Sequence, residues 1–394
     1  MTNAIIITLC VLLLIAYVFD LTSSKTKIPS VILLLLLGFL VRELAGILDL
    51  SLPDLTPVLP VLGTIGLILI VLEGALELEF NASKTPLIKR SVAVALLPML
   101  ALAFGLAWVL QQVGGYDFKD SLTNAIPLCV ISSAIAIPSV KSLGKHNKEF
   151  VIYESSLSDI LGVLLFNFVA LNEFINLYTI GGFFMQLLVI AAVSFVATIG
   201  LSLLLSRIDH SIKFAPIILL VILIYEVSKV YHLPGLIFIL LFGLFLGNLD
   251  ELQHIKWIHK LNPVALNKEV HKFREITTEA AFLIRSLFFL LFGYLIETAE
   301  LLNTETLVWA AGIVTAIFLL RAIQLRLSGL PLKPLLFIAP RGLITILLFL
   351  SITPASSIPL VNKSLIIQVI ILSALVMMFG LMTTQTKKQH PPVQ

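Results

Sequence analysis

The chain has 394 residues, of which 59% are hydrophobic and 12% are charged, with a net charge of +3; soluble domains carry about 25% charged residues. So few polar groups cannot cover a water-facing surface. This excludes an ordinary soluble enzyme or nucleic-acid binder and leaves a chain solvated by lipid over most of its length.

Apolar windows of about 20 residues recur thirteen times, near 3–21, 28–48, 59–78, 91–113, 121–143, 150–172, 180–206, 213–231, 234–248, 276–298, 305–325, 332–353 and 363–384. The spacing predicts an all-α polytopic membrane protein of about 13 transmembrane helices. The first window, NAIIITLCVLLLIAYVFDL, lacks a positive n-region and a small-residue cleavage site, so it reads as a retained helix. Cys10 and Cys129 both fall in apolar runs and suggest neither a disulfide nor a metal site. Of the 26 Lys and Arg, 20 fall in the connections after the first, third, fifth, seventh, ninth and eleventh windows or in the tail. Arg42, Lys119, Lys229 and Lys363 fall on the other side. This bias puts the N-terminus outside and the C-terminus in the cytoplasm. The loop NLDELQHIKWIHKLNPVALNKEVHKFRE is expected to be cytoplasmic and partly amphipathic. Residues 385–394 read as a short cytoplasmic tail with no regulatory domain attached. His146, His210, His254, His259 and His271 fall mainly in cytoplasmic loops, where solvated histidine can sense pH.

Four charges lie inside spans: Glu154 and Asp159 in ESSLSDILGVLLFNF, Arg285 in AFLIRSLFFLLFG and Arg341 in IAPRGLITILLF. An ionised group deep in hydrocarbon costs a few kcal/mol or more. These side chains must therefore face a bundle interior or a wet cavity. Two pairs of windows also correspond. LILIVLEGALELEF matches SLFFLLFGYLIETAE, and NAIPLCVISSAIAIPSV matches IAPRGLITILLFLSITP. The members of each pair stand seven windows apart and cross in opposite senses, as an inverted repeat requires. Pro127 and Pro138 in one member, and Pro340, Gly342 and Pro354 in the other, predict two broken helices. Their freed backbone groups are tolerated only where protein or water satisfies them.

IPSVILLLLLGFLV, VLEGALEL, LCVISSAIAIPSV, YESSLSDILGVLLF and APRG, in that order, resemble motifs of the monovalent cation/proton antiporter superfamily over nearly the full length. The resemblance implies a single membrane transport domain, 1–384, with a core near 59–172 and 276–384 and a scaffold near 1–48 and 180–248. It further implies a homodimer in the cell (inner) membrane and alternating access by motion of the core. One carboxylate binding cation or proton maps to Asp159. Glu154 is implied to pair with Arg341, and Glu73 to be another core acid. Ser158 stands where the exchanger branch has Asn, and Ile137 precedes Pro138 where that branch commonly has Asp. SSAIAI is closer to the potassium-efflux branch, and Arg285 takes the place of a Lys in the electrogenic branch.

On one helix, Ser155, Ser158 and Asp159 project to nearly one face, with Glu154 about 140° round from Asp159. A partly dehydrated Na⁺ or K⁺ can be held by Asp159, the Ser155 and Ser158 hydroxyls, carbonyls freed near Ser132 and Ser133, and water. Proton and cation then compete for one acid, which couples their flows and favours electroneutral exchange. No cofactor, resident metal or nucleic acid is expected. Three classes stay open: an H⁺/Na⁺ or H⁺/K⁺ antiporter, a channel-like potassium efflux pathway, and a non-transporting membrane sensor that keeps the fold. Asp159 as a structural partner of Arg285 is the plain alternative to its transport role.

Overall fold

The computed structural model describes residues 2–26, 28–48, 54–78, 84–141, 143–174, 176–207, 213–252 and 263–384. The expected tail, the middle of the long loop and His210, His254 and His259 lie outside the described residues. Among those described, the chain is helical and holds no strand. In chain order the helices are α1 (Thr2–Thr26), α2 (Ser30–Ile47), α3 (Val58–Glu77), α4 (Thr85–Gly114), α5 (Phe118–Ala125), α6 (Ser133–Ser139), α7 (Lys145–Leu171), α8 (Leu177–Arg207), α9 (Phe214–Val230) and α10 (Gly235–Gly247). They continue with α11 (Leu249–Leu252), α12 (Pro263–Tyr294), α13 (Thr298–Leu301), α14 (Thr304–Leu327), α15 (Leu343–Leu350) and α16 (Lys363–Thr383).

Ten of the described helical segments, counting α5–α6 as one, are long and apolar enough to cross a membrane. The 17-residue α9, the 13-residue α10 and the eight-residue α15 are shorter. The second half of the long loop is not a surface segment of its own. From Pro263 onward it is the first part of α12, which continues unbroken to Tyr294.

Local chemistry sets the helix ends. Asp117 accepts the Lys119 amide at the start of α5, Asn303 accepts the Glu305 and Thr306 amides at α14, and Asn362 accepts Leu365 N at α16. The chain leaves α4 through Gly115, at a φ of 66°. The two predicted breaks are present. One falls between α5 and α6, where a 3-10 turn at Ile126–Leu128 gives way to extended chain at 130–132. The other spans 338–342, between a 3-10 turn at Leu335–Phe337 and α15. Pro127, Pro340 and the Pro138 inside α6 have no amide to donate, which removes helix bonds at these places.

The helices pack in two neighbourhoods. In one, α12 lies against α2 and α3, and α3 against α10; α10 in turn contacts α8 and α9. In the other, α4 packs on α5, α7 and α14, α6 on α7, and α14 on α16. The α2–α12 crossing is backbone on backbone. A Cβ at Gly38 would overlap the Leu290 carbonyl and stand 2.8 Å from Tyr294 N, and one at Gly293 would overlap the Leu35 carbonyl. With lipid as solvent no hydrophobic force gathers helices, so such close approach of small residues supplies the packing.

Candidate functional site

The site forms where the two breaks cross and α7 lies beside them. Every break carries amides and carbonyls with no helical partner, and most find one here. Ser132 N donates to the Pro340 carbonyl at 2.9 Å, joining one break to the other. Ile131 N donates to Ser158 Oγ on α7 at 2.9 Å. Arg341 reaches back across the crossing: its Nε donates to the Leu128 carbonyl at 2.8 Å and its Nη1 to the Ala339 carbonyl at 2.9 Å. Its own amide donates to Ser373 Oγ on α16 at 3.0 Å. Gly342 allows the breaks to approach, because a Cβ there would stand 2.7 Å from Ile135 Cδ1 and 2.9 Å from Ser132 Oγ.

Asp159 projects from α7 into this crossing. Its Oδ2 accepts both the Ser133 hydroxyl and, at 3.3 Å, the Ser133 amide. Its Oδ1 is buried and has no hydrogen-bond partner, and neither has Ser132 Oγ. Asp159, Ser132, Ser133, Ser155 and Ser158 are all buried. Among the described residues, no Lys or Arg nitrogen lies within 4.0 Å of the Asp159 carboxylate. Asp159 is thus not the ion-pair partner of Arg285. A buried carboxylate with one free oxygen and an unpartnered hydroxyl, with no Lys or Arg nitrogen within 4.0 Å among the described residues, is chemistry that suits a hard monovalent cation or a proton.

The predicted residues do not all gather. Ser132, Ser133, Ser158 and Asp159 come together. Ser155 is on the same helix, but its hydroxyl donates to the Val151 carbonyl at 2.8 Å. Arg285 is buried on α12, and its charge acts on Glu73 of α3 without a direct ion pair between them among those of the described residues.

The expected Glu154–Arg341 pair is corrected. Glu154 is bound by Arg321 in a two-pronged pair, Nη1–Oε1 at 2.6 Å and Nη2–Oε2 at 2.8 Å. Arg321 Nε also donates to the Leu335 carbonyl at 2.7 Å. Both side chains are nearly sealed, at 5% and 1% exposure. The planar guanidinium fork suits a carboxylate in this geometry, while Arg341 spends its donors on carbonyls freed by the breaks. Arg321 is one of the 20 Lys and Arg assigned to connections, here the one after the eleventh window. It lies six residues before the end of α14, so the window's edge hid an intramembrane charge. Ser373 was not anticipated either, since a lone serine in an apolar helix carries no signal of what it faces.

The fold is that of a multi-pass helical membrane protein with two crossed helix breaks around a buried acid. The sequence matches the family described as sodium/hydrogen exchanger, transmembrane, over residues 10–388. The chain belongs to that family and is a multi-pass membrane protein. No curated protein matches it in sequence. Among solved structures it resembles the sodium/proton antiporter MjNhaP1 from Methanocaldococcus jannaschii at pH 8, at 19% identity and a TM-score of 0.72, covering 95% of this chain and 98% of that one. An electron-microscopy structure of the same antiporter matches with 19% identity and a TM-score of 0.67, covering 97% and 95% of the two chains.

Proposed function

We propose that the chain exchanges protons for Na⁺ or K⁺ with one-for-one charge balance, at Asp159. The observation that carries this reading is the carboxylate itself. One oxygen is held by Ser133 of the broken helix, the other is free, and no protein cation stands beside it. Such a group can hold one proton or one monovalent cation. Occupation by either excludes the other, and that exclusion couples the two fluxes. Ser133 positions the acid, Ser158 fixes the break against α7, and Ser132 Oγ, unpartnered beside Gly342, is available as a further oxygen ligand. Ser155 needs only a rotation away from Val151 to join them. Arg341 and the Glu154–Arg321 pair hold the scaffolding of the crossing, while Arg285 and Glu73 supply charge on the α3–α12 side.

Alternating access needs two bodies. Their packing favours a boundary between the group of α4–α7, α14 and α16 and the group of α2, α3, α8–α10 and α12, with α15 touching both, which moves α3 and α12 out of the expected core. A homodimer in the cell membrane, with the Lys/Arg-rich face cytoplasmic, completes the reading. The test is reconstitution into vesicles. Under a pH gradient, Na⁺, K⁺ and Li⁺ are presented in turn with the voltage clamped and unclamped. Cation-dependent proton movement insensitive to voltage supports the reading; cation flux without proton movement points to the efflux pathway instead.

A further inference from the structure

The face of the molecule where α4 and α7 begin is unevenly charged. Lys84, Lys89 and Arg90 stand at the start of α4, and Lys145 and Lys148 lie in the first turn of α7. The only acid in these two stretches, 84–90 and 145–149, is Glu149. Its Oε1 meets Lys84 Nζ at 3.1 Å and Lys145 Nζ at 3.9 Å, which ties the two helix starts together. Lys89 and Arg90 are exposed and Lys148 is half-buried. Among the described residues, no carboxylate oxygen lies within 4.0 Å of any of these three. The start of α12 differs. Helices α7 and α8 cross and return the chain to the same face at Lys213, whose Nζ meets Glu269 of α12 at 2.6 Å. There Lys268, Lys272 and Arg274 are interleaved with Glu269, Glu275 and Glu279, and Lys272 also meets Glu269 at 3.4 Å. A general excess of Lys and Arg on one side of a membrane does not require that the unpaired cations gather on one group of helices.

Their depth is set by the sequence that follows. Residues 91–114 of α4 hold no charge, which is about 36 Å of helix against about 30 Å of hydrocarbon. Lys89 and Arg90 therefore stand at the level of the lipid headgroups, and the Lys84–Glu149 pair brings the first turn of α7 beside them. Neither helix has a side chain capping its first amides or an acid in its first turn, so both helix dipoles add positive potential there. We propose that Lys89 and Arg90 of α4 and Lys148 of α7 bind the phosphate headgroup of an anionic phospholipid, with Lys84 and Lys145 held beside it by Glu149. Phosphate oxygens accept charge-assisted hydrogen bonds from all three side chains, and the arginine can give two in parallel. The acyl chains of such a lipid remain in the bilayer and hold its headgroup at this depth, which a free anion in water lacks. Each cation is expected to contribute about fivefold in apparent affinity. Asp159 lies about 21 Å further along α7 than Lys145, so the lipid site does not depend on the exchange reading.

Ligand-dependent unfolding tests this on the purified full chain in neutral detergent. The protein is titrated with phosphatidylglycerol, with phosphatidylcholine and with inorganic phosphate, and its melting temperature is followed. Phosphatidylglycerol is expected to raise the melting temperature where phosphatidylcholine does not, and added salt to weaken the effect. Combining Lys89→Gln, Arg90→Gln and Lys148→Gln is expected to raise the half-maximal phosphatidylglycerol concentration about a hundredfold. If the triple variant fails to fold, each single variant is expected to raise it about fivefold. Lys268→Gln with Lys272→Gln, at the start of α12, is expected to leave the titration unchanged. An equal shift with phosphatidylcholine overturns the proposal, and so does an unaltered titration in the α4 and α7 variants. A loss just as large in the α12 variant removes the site from α4 and α7. A shift by inorganic phosphate that matches the lipid replaces the lipid with a free anion. The readout is binding, so it is separate from the Asp159 exchange assay.

Discussion

Asp159 has a hydroxyl and an amide on one oxygen and nothing on the other. Asp159→Asn keeps the shape and removes the exchangeable charge, so exchange is expected to fall to the level of protein-free vesicles. Exchange that survives in proteoliposomes would falsify the single-site mechanism. Competition also has a pH signature. Where the acid is mostly protonated, the apparent KM for the cation rises about tenfold for each unit of acidification, because one proton must leave for each ion bound. Initial rates on both sides of neutrality measure this, and a pH-independent KM contradicts it. Arg321 belongs to the same scale. Arg321→Met leaves Glu154 buried without its counter-charge and is expected to cost about 3–5 kcal/mol. Pairing it with Glu154→Gln recovers much of that loss, read as thermal unfolding in detergent.

At the scale of elements, the broken helices persist because particular side chains satisfy what the breaks expose. Arg341→Met strands the Leu128 and Ala339 carbonyls. At about 1–3 kcal/mol for each unsatisfied buried group, it is expected to lower stability sharply, whereas Arg341→Lys can recover at most part of the fork. The α2–α12 crossing is constrained by backbone alone. Gly38→Val meets the Leu290 carbonyl, which cannot rotate aside, and destabilises by at least about 1–3 kcal/mol. Comparing its melting temperature with that of Gly46→Val, where nothing lies within 4 Å, separates packing from propensity.

At the scale of the molecule, α1 packs on α2 and α12 and also touches α6, and Lys141, two residues past α6, meets Asp20 of α1 at 3.1 Å. Lys141 is half exposed, so the pair contributes little stability. Its position is more informative than its strength. Cysteines at both places, joined by a short bis-maleimide, are expected to arrest exchange if the groups move against each other. A cleavable linker restores it on reduction. Undiminished transport in the joined protein means that these two groups do not move.

Membrane class, helical fold, the two interruptions and the burial of Asp159 beside them were legible in the chain itself. Each is written in local terms: an apolar run of fixed length, a proline with no amide to donate, an acid without a neighbouring counter-charge. Which charge meets which was not legible. Glu154 could have faced either buried arginine, and only the path of α14 brings Arg321 to it and leaves Arg341 to cap carbonyls. The close contacts at Gly63 and Gly66 were likewise invisible, because their partners lie on α12 and α15. Contacts between residues hundreds of positions apart depend on how helices cross, and in lipid those crossings follow from close backbone packing that no single helix encodes.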